Sequence, residues 1–178
     1  MKIKGEQTIA AKPEQVWKGL NDPSVLRLSI PGCKSFERTG DNAFKATIET
    51  KVGPVKAVFN GDIRLSNLDP PHCYTLSARG TAGSMGNAKG SARIRLVPSG
   101  TGTKLTYDVD ADVSGKFTQI GSRLIQGTAN TLADQFFTRF GDAVAPPAAL
   151  PSAGAGIPWW ILAAAVAGLA AAGYYFFR

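Results

Sequence analysis

Histidine and cysteine are almost missing from this chain: His72 stands alone, with Cys33 and Cys73, among 178 residues. That scarcity removes the usual routes to a metal centre or a nucleophile–base pair. Two cysteines and one histidine fall short of the four ligands of a structural zinc site. His72 and Cys73 are adjacent, and neighbours on a strand point to opposite faces, so they make no thiolate–imidazole pair. The cysteines set no disulfide framework and suit a reducing compartment. His72 follows Asp69-Pro70-Pro71 and reads as a solvated turn residue.

Other signatures are absent too. Gly80, Gly83, Gly86 and Gly90 form neither GxGxxG nor a phosphate loop, since no Gly-Lys-Ser/Thr follows. Asp108, Asp110 and Asp112 begin like a calcium loop, but its Gly and Glu positions hold Val113 and Gln119. The start, MKIKGEQTIA, carries lysines with no apolar stretch behind them, so no signal peptide is expected. The net charge of +7 admits nucleic acid, an anionic lipid surface or an acidic partner. Its basic residues are dispersed along alternating segments, with no aromatic–basic or helix-turn-helix pattern, so nucleic acid is not an expected partner.

What the chain does have is a long uncharged run. Residues 159–177 read WWILAAAVAGLAAAGYYFF, closed by Arg178. About 19 residues at helical rise span roughly 28 Å, near the hydrocarbon thickness of a bilayer. Trp159 and Trp160 at one end and Tyr174 and Tyr175 at the other occupy interfacial positions. The segment predicts a single C-terminal transmembrane helix. Residues 142–158, rich in Pro, Ala and Gly, predict a linker, which leaves 1–141 as one domain. Without an export signal, that domain is expected to face the cytoplasm from the cytoplasmic membrane.

Within 1–141 the period of the apolar residues changes twice. Residues 2–10 read as a strand; Pro13 opens a short helix, and a second apolar turn around Val25–Ile30 stops at Pro31-Gly32. Alternation then begins at Phe44 and runs, through turns bearing Gly, Asn, Asp and Pro, to Val113. From Lys116 to about Gly141 the helical period returns, with Gly121, Ile125, Ala129, Leu132, Phe136 and Phe140 in one stripe. The order predicts an α+β fold: a curved antiparallel sheet gripping a long C-terminal helix.

The inward positions are unexpectedly small. Gly61, Ala78, Ala88, Gly90 and Ala92 stand where a packed core wants larger side chains, so the helix, curvature or a guest must fill the volume. The expected walls of an apolar cavity are Phe44, Phe59, Ile63, Leu76, Ala92, Ile94, Tyr107 and Val109 from the sheet. From the helix come Leu124, Ile125, Thr128 and Leu132. Thr128 or Ser84 is the candidate polar group at its mouth.

Several motifs in order resemble a known family. They are Pro31-Gly32-Cys33, Gly61 ahead of Asp69-Pro70-Pro71, and the glycines from Gly80 to Gly90. Gly115-Lys116, the run Ile120-Gly121-Ser122-Arg123-Leu124-Ile125, and Gln135-Phe136-Phe137 follow. The chain is similar to the carbon monoxide dehydrogenase CoxG subunit, a branch of the START-like, polyketide-cyclase-like (SRPBCC) helix-grip superfamily. The resemblance implies a non-catalytic accessory protein that recruits a carbon monoxide dehydrogenase-type molybdenum hydroxylase to the membrane. It also implies a hydrophobic cavity, with no covalent cofactor and a quinone or other isoprenoid lipid as candidate guest. The alternative is a cyclase- or hydrolase-like enzyme acting on a hydrophobic substrate in that cavity. The lack of a buried acid–base pair in the sequence favours the accessory reading.

Overall fold

A computed structural model describes residues 1–145. The expected anchor and nearly all of the expected linker lie outside the described residues. Among the described residues no helix is long and apolar enough to cross a membrane.

The chain begins with β1 (Lys2–Ile9), α1 (Pro13–Leu20) and α2 (Pro23–Ser29). Six strands follow: β2 (Cys33–Gly40), β3 (Ala43–Val52), β4 (Val55–Asp69), β5 (Cys73–Thr81), β6 (Gly86–Ser99) and β7 (Gly102–Gly115). A 3-10 turn at Lys116–Gln119 then leads into α3 (Ser122–Val144). The seven strands form one sheet in the order β1-β7-β6-β5-β4-β3-β2, with each neighbouring pair antiparallel. This is the helix-grip arrangement: a curved meander closed by the first strand, with α3 on its inner face.

Local chemistry sets the helix starts. Pro13 and Pro23 each sit in a first turn, where a missing N–H costs nothing. Asp22 caps α2, its carboxylate accepting from the Ser24 N–H at 2.8 Å and from the Ser24 hydroxyl at 2.6 Å. Those bonds hold the Asp22 carboxyl below its ordinary range.

The structure differs from the sequence expectation at β2 and at both ends of α3. β2 has no counterpart in the alternating pattern, because register shifts between Cys33 and Ser35 and between Arg38 and Gly40 interrupt it, leaving Phe36 as its one large buried side chain. Gly121, expected in the helical stripe, caps α3 from outside with φ of +94°. The helix therefore starts at Ser122 and continues to Val144, through residues 142–144 of the expected linker.

The buried apolar residues fall into two separate clusters. The larger joins Ile9, Val16, Leu20, Leu26, Phe36, Phe44, Leu65, Tyr74, Ile94, Leu96, Leu105 and Phe140 around α1, α2 and the C-terminal half of α3. The smaller joins Val52, Ala57, Ala82, Phe117 and Ile125 near the N-terminus of α3. α3 runs closest to α1, α2 and the strands β1 and β3, and less close to the centre of the sheet. The space between the clusters positions the site.

Candidate functional site

Strand register places the small residues side by side. Val109, Ala92, Leu76 and Leu65 form one cross-strand row on the inner face. Ala111, Gly90, Ala78, Ile63 and Phe44 form the next. Val113, Ala88, Gly80, Gly61 and Ala46 form the third. Gly and Ala thus make a continuous floor, roughly 13 Å along the strands and 19 Å across them.

This floor is incompletely covered. Ala78, Ala88, Ala92, Ala111, Ile63, Leu76, Val109 and Val113 all stay partly accessible, although they face α3. At either end of the same strands, Leu65, Tyr74, Ile94, Leu96, Leu105 and Ala57 are buried. A face that packs at both ends and stays accessible in the middle leaves a gap beneath α3.

Aromatic stacks bound the gap. Phe59 lies on Phe117 with ring centroids 5.2 Å apart, at the end near the N-terminus of α3. Towards the other end Tyr107 stacks on Phe137 at 5.3 Å, Phe137 meets Phe136 edge-on at 5.0 Å, and Phe136 stacks on Phe140 at 5.5 Å. Such pairs contribute about 0.5–1.5 kcal/mol each beyond burial. Tyr107 lies across β1 because its cross-strand partner is Gly5; a Cβ there would overlap the phenol ring. Gly5→Ala is expected to swing that ring off Phe137 and change the near-ultraviolet circular dichroism. Since a flexible ring end yields instead of backbone, the stability loss should stay below about 1 kcal/mol.

The expected wall residues divide into three groups. Ile63, Leu76, Ala92, Tyr107 and Val109 face the gap and are partly accessible; Phe59 joins them through its stack. Phe44, Ile94 and Ile125 are buried in the two clusters, with Phe44 packed against Phe36 at 5.4 Å. Leu124, Thr128 and Leu132 line a groove of about 490 Å3 between α3 and the outer part of β3. Pro31, Gly32, Glu49, Thr50, Lys51, Gly53 and Arg123 also line it, with Gly127, Thr131 and Gln135 on the helix. Thr128 donates its hydroxyl to the Leu124 carbonyl at 3.0 Å, one turn back in its own helix. Ser84 is exposed in the short turn between β5 and β6.

Gly80, Ala111 and Gly5 belong to the site without being among its expected members, and Ala46, at the end of the Gly80 row, is buried in the larger cluster. Period-two counting from Ala78 reaches Gly80, but the link from Gly5 to Tyr107 needs the register of two strands far apart in sequence.

The polar groups elsewhere behave as surface groups. His72 is exposed, with Nδ1 3.7 Å from an Asp69 carboxylate oxygen in the same turn. Burial pushes the Cys33 thiol up, against the pull of Arg27 and a backbone hydrogen bond, so it stays protonated near neutrality. On the outer face a wide trough of about 1000 Å3 is edged by Asp62, Asp110 and Asp112 together with Arg64, Arg79 and Lys89. Its charges balance, as on a solvated sheet face. Asp108 is tied to Lys4 at 2.8 Å and Asp112 lies 3.9 Å from Lys89, both pairs exposed. Exposed pairs of this kind contribute little to stability.

Residues 5–145 match a family model that describes the CoxG subunit of carbon monoxide dehydrogenase. A conserved protein from Geobacillus kaustophilus, known from its crystal structure, is 33% identical, with TM-score 0.76, covering 82% of this chain and 95% of that one. A Thermus thermophilus protein at 16% identity and TM-score 0.60 covers 81% of this chain and 97% of its own. A Chromobacterium violaceum protein at 18% identity and TM-score 0.59 covers 82% and 98%. These last two show the fold alone. No curated protein matches this chain.

Proposed function

The chain belongs to the CoxG family of carbon monoxide dehydrogenase subunits, and from that premise we propose a membrane-anchored, non-catalytic carrier. In this reading it holds an apolar ligand, a quinone, between sheet and α3, and couples a carbon monoxide dehydrogenase-type molybdenum hydroxylase to the cytoplasmic membrane. The observation that carries the reading is the accessible Gly/Ala floor between two packed clusters. A gap with apolar walls rewards an apolar guest by about 0.8 kcal/mol per methylene kept from water.

The physical need is plain. An oxidoreductase in the cytoplasm passes electrons to a carrier whose isoprenoid tail prefers the bilayer. A protein that encloses the tail lowers the barrier of the aqueous crossing. In this reading the flat quinone ring lies against the Tyr107–Phe137 stack, with the Tyr107 hydroxyl donating to a quinone carbonyl. Burial, with Asp134 adding to it, pushes the Tyr107 phenol up, so it remains a protonated donor throughout the physiological range. Tyr107→Phe is expected to weaken quinone binding about 2- to 12-fold, the worth of one neutral hydrogen bond. Binding of an alkane of equal length should not change; equal losses for both ligands would show that the hydroxyl orients nothing.

Mass spectrometry of lipid extracts from the purified full chain tests the guest directly. An isoprenoid quinone in the extract is expected; a purified protein free of lipid would refute the carrier reading. Cell fractionation tests the anchor. The full chain should sediment with membranes and a chain ending at Val144 should stay soluble. If the shortened chain still sediments after a high-salt wash, residues 159–177 do not anchor it.

A further inference from the structure

We propose that the groove between β3 and α3 is the side portal of the gap and docks directly on an anionic lipid bilayer. This rests on the carrier reading and adds where the ligand enters and which face meets the membrane.

Three observations converge there. First, β2 covers the edge of β3 only as far as Ile48, with Glu49 N–H closing on the Gly32 carbonyl at 2.9 Å. From Thr50 onward the edge of β3 faces α3 across the groove, without a strand between them. The opposing helix face carries Leu124, Gly127, Thr128 and Thr131, and a Cβ at Gly127 would meet nothing within 4 Å. Gly127, Thr128 and Thr131 on one bank and an unpaired strand edge on the other leave this stretch of the groove open.

Second, the rim is cationic. Lys51 and Arg123 line the groove and pair with no carboxylate among the described residues. Glu49 is its single carboxylate and is approached by two lysines, Lys56 at 2.9 Å and Lys34 at 4.0 Å. The rim thus carries a positive excess, unlike the balanced trough on the outer sheet face.

Third, aliphatic groups protrude among these cations. Leu124 is 53% exposed inside the groove, and Leu28, at the end of α2 that feeds Pro31 and Gly32, is 74% exposed. An acidic protein would need an apolar pocket matched to Leu124 as well as complementary charge. A bilayer surface satisfies both: headgroup phosphates take the cations and the acyl boundary takes the leucine.

The test uses residues 1–145, which form one compact unit holding both core clusters, and a match over 82% of this chain takes in 95% of the crystallised Geobacillus kaustophilus chain. Sedimentation is measured with phosphatidylcholine vesicles, with and without phosphatidylglycerol. The unaltered domain should bind the anionic vesicles and not the neutral ones. Lys51→Gln with Arg123→Gln should lower that binding about 30-fold, since each cation near such a surface contributes about fivefold. Leu124→Ser should weaken the part of the binding that survives high salt. Arg64→Gln with Arg79→Gln, on the opposite face, removes the same charge and should change binding less than about twofold.

Equal losses from both pairs would overturn the portal, because net charge alone would then explain the attraction. No binding to anionic vesicles would overturn it as well, and would direct the rim towards an acidic protein. Lipid extraction from the same full-length variants separates this from the carrier reading. A guest retained by a domain that does not dock leaves the carrier standing without the portal. Docking by a domain that never holds a guest does the reverse.

Discussion

Replacing Ala92 with phenylalanine is expected to remove the ligand while leaving the domain folded. Ala92 lies in the cross-strand row between Val109 and Leu76, at the border where the accessible floor meets the buried end of the sheet. Its side chain faces the gap from the edge of the larger cluster and is only partly covered, so an added ring is directed towards the accessible rows of the floor. The quinone recovered by lipid extraction should fall at least about tenfold, because ring and guest cannot share one space at protein packing density. Hydroxylase-driven quinone reduction in reconstituted vesicles should slow in proportion. Thermal stability should hold, since overpacking costs of about 1–3 kcal/mol arise only where a core is already full. A loss of that size, with the ligand still bound in the surviving folded fraction, would show that the floor is packed core. Gly90 is a poorer place for the same experiment. A Cβ there falls 2.9 Å from the Asp110 carbonyl oxygen, so any side chain disturbs the sheet before it reaches the gap.

The contrast between Ala92 and Gly90 shows what is legible in the sequence and what is not. Period two assigns Ala57, Phe59, Gly61, Ile63 and Leu65 to one face of β4, and they share the inner face. It also marks Gly61, Ala78, Ala88, Gly90 and Ala92 as too small for a core, and register sets them edge to edge. Alternation does not say where along a strand packing begins. Phe44 and Ile94 obey the same pattern as Ile63 and Leu76, yet they are buried because α1, α2 and the end of α3 reach them. That difference depends on how far α3 stands off the sheet, a distance between elements remote in sequence. β2 is invisible for a local reason: its bulges break the alternation on which strand recognition depends. The groove is invisible for a topological one, since it exists where β2 stops covering β3. No residue in β3 announces that.

The same change, glycine to alanine, should have opposite effects at two positions on that groove. At Gly32 the backbone has φ of +71°, a region that disfavours a Cβ. A methyl would also press into the Glu49 carbonyl, whose own N–H is bonded to the Gly32 oxygen. Backbone faces backbone here, so neither side yields without unpicking the junction of α2, β2 and β3. Gly32→Ala is expected to cost about 2–4 kcal/mol, combining left-handed strain with the clash. For a domain of this size that lowers Tm by about 5–15 °C. At Gly127, inside α3, a methyl meets nothing within 4 Å and the backbone is helical. Gly127→Ala should therefore add up to about 1 kcal/mol of helix stability and raise Tm by about 2–4 °C. Scanning calorimetry of both variants in the 1–145 domain reads the pair directly. A neutral Gly32→Ala would mean that the α2–β2 junction is loose enough to rebuild, and the close approach to Glu49 would lose its role in shaping the groove. A destabilised Gly127→Ala would mean that α3 packs where the structure leaves it open, which would close the passage as well.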